Sequence, residues 1–258
     1  MIGWGEPVSS DFFLEGVRVS TLPLAEAAVR ICETAGSAVA QTVFTLNLDH
    51  VVKMRSDPAF RAAYARAGLI TADGFPVVLA GILKGIRFDR VAGSDLIAPI
   101  CAEAARTAKS IYLFGSSSDV LLEASQTLCG RNPGLRIAGV LAPPQGFSPM
   151  SPEARRCLDT IAESGADLCF VALGAPKQEL FADAAKQVLP NVSFVCIGAG
   201  LDFITGAQVR APYWMQRVGL EWVWRVAKNP GRLLHRYLLC IAALPGFLAR
   251  AAIVPQRR

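Results

Sequence analysis

From residue 40 onward, short apolar runs alternate with longer amphipathic stretches, and this alternation constrains the fold of the 258-residue chain more than any other feature. Six runs, at 40–45, 69–71, 110–114, 136–140, 168–173 and 193–197, have the length and content of buried strands. Each ends in polar or glycine-containing turn residues. The stretches at 48–55, 58–67, 75–84, 94–108, 119–129, 152–164 and 177–188 read as helices. Strands separated by helices pair in parallel through crossovers, so the pattern predicts an α/β fold: a Rossmann-like, mostly parallel sheet flanked by helices. Ser94 and Asp119 read as helix caps, Pro152 as a first-turn proline, and 143–146 as a loop.

Composition narrows the class. With 52% hydrophobic and 18% charged residues, a disordered chain is excluded. Seven scattered cysteines, none spaced C-x-x-C, give neither a disulfide framework nor a zinc knuckle, and a reducing cytosol fits them. His50 and His235 lie too far apart for an H-E-x-x-H metal site. The first residues lack a basic segment followed by an apolar run, so no signal peptide is expected.

Charge divides the chain. Residues 206–258 hold nine Lys/Arg against one acid, Glu221, a net of +8, so the preceding 205 residues carry −3 of the total +5. The expected division is a catalytic core over 1–205 and a basic helical appendage over 206–258. A basic tail on a weakly acidic body points to an anionic partner: a diphosphate, a nucleic acid or an acidic lipid surface. The most apolar tail stretch, 238–254, is interrupted by Pro245 and Arg250 and is shorter than the roughly 20 residues that span a bilayer. Preceded by Arg225, Lys228, Arg232 and Arg236, it is expected to lie on a membrane rather than cross it. Trp214, Trp222 and Trp224 read first as packing residues.

In open parallel sheets, ligands bind beyond the carboxyl ends of the strands, where helix N-termini favour anions. The turns there are small or polar: 45–47, 71–74, 115–118, 174–179 and 198–200. No P-loop, no G-x-S-x-G elbow and no D-x-D carboxylate pair occurs, so arginines are expected to balance any departing diphosphate. Asp73, between an apolar strand and Gly74, reads either as a general base in the cleft or as a cap for the following helix. Thr45 and Asn47 suit hydrogen bonds to a base, ribose or sugar, and equally suit capping. Gln178 and Glu179 open a helix, where an acid is favoured by the dipole whatever its role. Arg90 and Asp95 read equally as a structural ion pair with no catalytic meaning or as a pair with a functional part. These residues leave three readings open: a transferase, a nucleotide-dependent dehydrogenase prompted by Gly198-Ala199-Gly200, and a non-enzymatic basic module binding membrane or nucleic acid.

The turns and tail taken together are more specific. T-L-N at 45–47, T-A-D-G at 71–74, R-V-A-G-S-D at 90–95, G-A-P-K-Q-E at 174–179 and R-A-P-Y-W-M-Q-R-V-G-L-E-W at 210–222 resemble, in this order, the WecG/TagA/CpsF family of bacterial glycosyltransferases, glycosyltransferase family 26. One departure falls at 196–202, where family members begin with glycine and carry an aromatic before the aspartate. The resemblance implies inverting, metal-independent transfer of N-acetylmannosamine, its uronic acid, glucose or a similar hexose. The donor would be a UDP-sugar and the acceptor an undecaprenyl-diphosphate-linked sugar, in surface polysaccharide synthesis at the cytoplasmic face of the membrane. Asp73 would be the base. Thr45, Asn47, Arg90, Gly174, Pro176, Gln178, Glu179 and Asp202 would contact substrate, and Arg225 and Arg232 on the appendage would stabilise departing UDP. No cofactor, metal or nucleic acid is implied, and a homo-oligomer fits the resemblance.

Overall fold

A computed structural model describes residues 12–217 and 219–253, without the side chains of Arg217 and Arg232. The N-terminal segment read for a signal peptide lies largely outside the described residues. A two-stranded hairpin, β1 (Phe12–Leu14) and β2 (Val17–Val19), precedes helix α1 (Leu24–Thr34). The alternating body follows: β3 (Thr42–Leu46), α2 (Leu48–Ser56), α3 (Pro58–Arg66), β4 (Leu69–Ala72), α4 (Phe75–Leu83), α5 (Gly93–Arg106) and β5 (Ser110–Gly115). It continues through α6 (Ser118–Arg131), β6 (Arg136–Leu141), α7 (Pro152–Glu163), β7 (Leu168–Ala172), α8 (Lys177–Val188), β8 (Ser193–Cys196) and α9 (Gly200–Thr205). The tail forms α10 (Tyr213–Arg217), α11 (Glu221–Lys228) and the long α12 (Pro230–Ile253).

All six expected strands are present, and they form one parallel sheet in the order β4-β3-β8-β7-β5-β6. Successive side chains of a strand face opposite sides. Phe44, Phe114, Val171 and Phe194 therefore enter one core with α2, α3, α4, α7, α8 and α12. Val43, Leu113, Phe170 and Val195 enter the other with α1, α5, α6 and α9. On the first side, Phe114 stacks on Phe181 at 4.4 Å, and Phe147 packs edge-on against both.

The hairpin and α1 were not anticipated: the hairpin strands are only three residues each, whereas α1 carries a helical pattern, with Ala27, Ala28, Ile31 and Cys32 buried on one face, that the reading from residue 40 onward passed over. The hairpin covers an otherwise open sheet edge: Ser20 N–H donates to the Ile70 carbonyl at 2.7 Å, and Phe12 packs against Phe88.

Two expected caps are corrected. Helix α5 begins one residue early, at Gly93, because Val91 N–H already bonds the Ala72 carbonyl, and Ala92 rather than Ser94 flanks the helix. At α6, Ser117 accepts from Val120 N–H and Asp119 sits inside the first turn, where its charge favours the helix end. The expected tail length is also corrected. The helix starts before residue 238, giving 21 residues from Leu233 to Ile253 that by length and composition are enough to cross a membrane. Pro245 is accommodated within it. Val254 lies outside the described residues. Helix α12 nevertheless packs on α2 and α4, with Leu233, Cys240, Phe247 and Ala251 buried and Leu234, Leu238, Leu239 and Ile241 exposed.

One close approach fixes the sheet against α5. A Cβ at Gly93 would stand 2.6 Å from the Cys196 carbonyl oxygen and 3.1 Å from Ile197 Cα. Neither backbone atom can yield without moving β8. Gly93→Ala is expected to lower unfolding free energy by about 2 kcal/mol, as overpacking does, measured by urea denaturation.

Candidate active site

The carboxyl ends of the four adjacent strands β4, β3, β8 and β7 open into a cavity of about 640 Å³. Its far wall comes from the tail, through Glu221, Trp222 and Arg225 of α11 and Arg236 and Tyr237 of α12. The volume suits a nucleotide-sized ligand.

Asp73 lies immediately beyond β4, its N–H donating to the Leu46 carbonyl at 2.8 Å. The next residue, Gly74, adopts φ 87°, a left-handed value that suits glycine, and serves as the flanking residue of α4 with no side-chain cap bond. The capping reading of Asp73 therefore fails, and its carboxylate stays in the cavity with 26% of the side chain exposed. Segment 90–92 runs beside the end of β4, with Val91 N–H bonded to the Ala72 carbonyl and Thr71 Oγ1 donating to the Val91 carbonyl, both at 2.8 Å. This places Arg90 Nη1 at 3.5 Å from Asp73 Oδ1, with Nη2 at 3.0 Å from Asp95 Oδ2. Arg90 is thus ion-paired and also lines the cavity. Burial raises the Asp73 pKa above its ordinary value, and the negative charges of Glu221 and Asp95 add to that, while Arg90 and Arg225 work the other way.

Asn47 both caps and lines. Its Oδ1 accepts from His50 N–H at 3.0 Å. Thr45 is buried near the end of β3 and lines the cavity without capping. Gly174 and Asp202 also line it; Asp202 accepts from Ser116 Oγ at 2.8 Å and from Gln208 Nε2 at 3.1 Å. Gln178 reaches the cavity while only 3% exposed, its Oε1 accepting from Gly198 N–H at 3.1 Å and its Nε2 donating to Glu179 Oε1 at 2.8 Å. Pro176 and Glu179 do not line the cavity. Glu179 turns into the core beneath Gln178, fully buried, so any effect on a ligand passes through that amide. Arg225 lines the cavity and has no ion pair among the described residues, whereas the Arg232 side chain lies outside them. Among the tryptophans, Trp222 lines the cavity beside Tyr237, and Trp214 is 62% exposed rather than packed. Trp224 is partly covered, donating to the Val209 carbonyl at 3.0 Å.

His50 escaped the sequence reading, where a lone histidine inside a helix carries no motif. It lines the cavity, and its Nδ1 lies 2.7 Å from both the Thr45 carbonyl and the Tyr64 hydroxyl. A carbonyl can only accept, so the proton is assigned to Nδ1, which leaves Nε2 to face Asn47 Nδ2 at 3.4 Å. Burial lowers the His50 pKa to about 4, so the ring is neutral at physiological pH. No cluster of three or more His, Cys, Asp or Glu able to hold a metal occurs among the described residues.

A parallel α/β sheet places its ligand site beyond the carboxyl ends of the strands, and Asp73, Arg90 and Arg225 stand at that edge here. The profile of the Glycosyl transferase WecG/TagA/CpsF family matches residues 12–258, and the chain belongs to this family. It is a glycosyltransferase, which displaces the dehydrogenase and non-enzymatic readings. A protein of Bacillus spizizenii (strain ATCC 23059 / NRRL B-14472 / W23), an N-acetylglucosaminyldiphosphoundecaprenol N-acetyl-beta-D-mannosaminyltransferase, is 31% identical over 191 residues, covering 74% of this chain and 72% of its own length.

Burial also raises the Glu179 pKa to about 7, partly offset by the Gln178 hydrogen bond. A raised folded-state pKa contributes stability that is complete below about 4.5 and is lost as pH climbs through about 7. His50 acts at the other end, costing stability as pH falls from 6.5 toward about 4. Glu179→Gln keeps an acceptor for Gln178 and removes the titration. Its stability relative to wild type should rise by on the order of 3 kcal/mol between about pH 4.5 and pH 8, read by urea unfolding.

Proposed function

We propose that the protein transfers a sugar from a UDP-sugar to an undecaprenyl-diphosphate-linked sugar with inversion at the anomeric carbon. The carrying observation is the uncapped Asp73 carboxylate in a cavity walled by both core and tail, 3.5 Å from Arg90. In this scheme Asp73 takes the proton of the acceptor hydroxyl as the oxygen bonds the anomeric carbon. The bond from that carbon to the β-phosphate oxygen breaks, and UDP leaves with the electron pair. Asp73's raised proton affinity suits a base working near neutral pH.

Departing diphosphate needs positive charge. Arg225 projects from α11 into the cavity without an ion-pair partner among the described residues, and Arg232 follows seven residues later in the sequence, near the start of α12. A guanidinium with no carboxylate to satisfy it, as at Arg225, favours a diphosphate leaving group without a bridging metal. Thr45, Asn47, Gly174, Gln178 and Asp202 supply polar groups and close backbone for the nucleotide and sugars. The relative's name favours N-acetylmannosamine as the transferred sugar and N-acetylglucosamine as the acceptor residue. Other hexoses are the outcomes a donor panel would separate.

The membrane part of the reading rests on α12. Leu234 and Leu238 recur at helical spacing on its exposed side, outside the cavity that Ile241 lines, and exposed apolar residues near basic ones suit a bilayer surface. We place the enzyme peripherally at the inner face of the plasma membrane, where a lipid-linked acceptor would be met.

Asp73→Asn should lower kcat by ~10²–10⁴ while UDP affinity, followed by calorimetric titration, stays near wild type. Near-normal turnover in that variant would remove Asp73 from the role of base. Arg225→Ala should cost ~10²-fold or more in kcat/KM for the donor, with EDTA leaving wild-type turnover unchanged.

A further inference from the structure

Four charged side chains form a row of alternating sign that leads out of the cavity. Asp73 Oδ1 is 3.5 Å from Arg90 Nη1, Arg90 Nη2 is 3.0 Å from Asp95 Oδ2, and Asp95 Oδ1 is 2.6 Å from Arg210 Nη1. Asp73 and Arg90 line the cavity, whereas Asp95 and Arg210 do not. We infer that Asp95 and Arg210 are positioning residues for the transfer: they draw the Arg90 guanidinium away from Asp73 and so keep its carboxylate open to the acceptor hydroxyl. This rests on Asp73 being the base.

The distances carry the argument. Charge-assisted N–H···O bonds close to about 2.7–2.9 Å when nothing competes, so the 3.5 Å contact to Asp73 is slack and the 3.0 Å contact to Asp95 is the firmer hold. Asp95 has a fixed seat in the first turn of α5. Both its oxygens accept from arginines, so it is divided between core and tail. Arg210 is itself held at the mouth of the tail: Ala211 beside it is buried, and its guanidinium lies 5.9 Å from the Phe203 ring centre. Its Nε is buried without a hydrogen-bond partner among the described residues, so the bond to Asp95 is its anchor.

Removing one member of an alternating row shifts the rest in a defined direction. Without the charge of Asp95, Arg90 closes fully on Asp73 and a nearby negative charge is lost. Both changes favour the ionised Asp73. Without Arg210, Asp95 is left unbalanced and a positive charge near Asp73 is lost. Both changes favour the protonated form. The other charged and titratable groups that act on Asp73 stay in place in either variant: Glu221 and Arg225 on α11 and Tyr64 on α3.

The test is the kcat–pH profile of the full chain with UDP-N-acetylmannosamine and an undecaprenyl-diphosphate-N-acetylglucosamine analogue. Asp95→Asn should move the acidic limb to lower pH by about half a unit or more and cut kcat about tenfold, with the donor KM changing less than about threefold. Arg210→Gln should move the limb to higher pH, and Arg210→Lys should leave it at the wild-type position. The double variant Asp95→Asn/Arg210→Gln removes one charge of each sign and should bring the limb back toward wild type. It also serves if Arg210→Gln alone does not fold. Limbs that stay put, or that move the same way in Asp95→Asn and Arg210→Gln, would overturn the inference. Asp73→Asn in the same series separates the two failures: an inactive Asp73→Asn with unmoved limbs sinks only the row, and an active one sinks the base itself.

Discussion

A parallel sheet delivers the last residue of every strand, and the first turn of the helix that follows, to the same edge. That constraint organises this molecule. Strands β4, β3, β8 and β7 are neighbours in the sheet although far apart in the chain, so residues 45, 73, 174 and 198 meet around one cavity. Local choices then decide which side chains remain free there. Asn47 is held by His50, Asp202 by Ser116 and Gln208, and Gln178 by Gly198 and Glu179. Asp73 is left with a slack arginine because glycine, not aspartate, begins α4.

The second organising term is charge. Acids of the body meet arginines of the tail at Asp95–Arg210, Asp49–Arg236 and Glu15–Arg250. Pairs of this kind are individually worth little at an exposed surface, and apolar burial of Phe247, Cys240 and Ala251 does more to hold α12. What the pairs provide is selection. They engage Arg210, Arg236 and Arg250, of which Arg236 alone lines the cavity, and leave Arg225 unpaired among the described residues and facing it. The excess positive charge is thereby concentrated where an anion would sit.

Much of this was legible in residue order, and the reasons differ by element. Buried parallel strands announce themselves as apolar runs, so all six were found with their ends displaced by a residue or two. The hairpin was missed because three-residue strands carry no periodicity, while α1 was legible from the helical spacing of Ala27, Ala28, Ile31 and Cys32 and was passed over. At the site, the turns after strands supply Thr45, Asn47, Asp73, Gly174 and Gln178, the family resemblance adds Arg90, Asp202 and Arg225, and all eight line the cavity. The turn pattern could not tell which neighbour in a helix start faces inward, so Glu179 and Pro176 were grouped with Gln178 although they lie off the cavity. Nor could it find His50, whose importance is a matter of three-dimensional neighbours: Thr45, Asn47 and Tyr64. The tail was misjudged in length because a proline inside a run reads as a break, whereas α12 passes through Pro245 uninterrupted.

The seating of α12 has a mechanical consequence. Phe247 is wholly enclosed by the same apolar core that supports β3 and β8, while Leu234 and Leu238 of that helix look outward. A helix anchored in this way cannot peel off to embrace a lipid without opening the core behind it. If the outward leucines rest on a bilayer, the entire enzyme must therefore settle there as one stiff body, and the height of the Asp73 carboxylate above the lipid headgroups is set by the thickness of the protein itself.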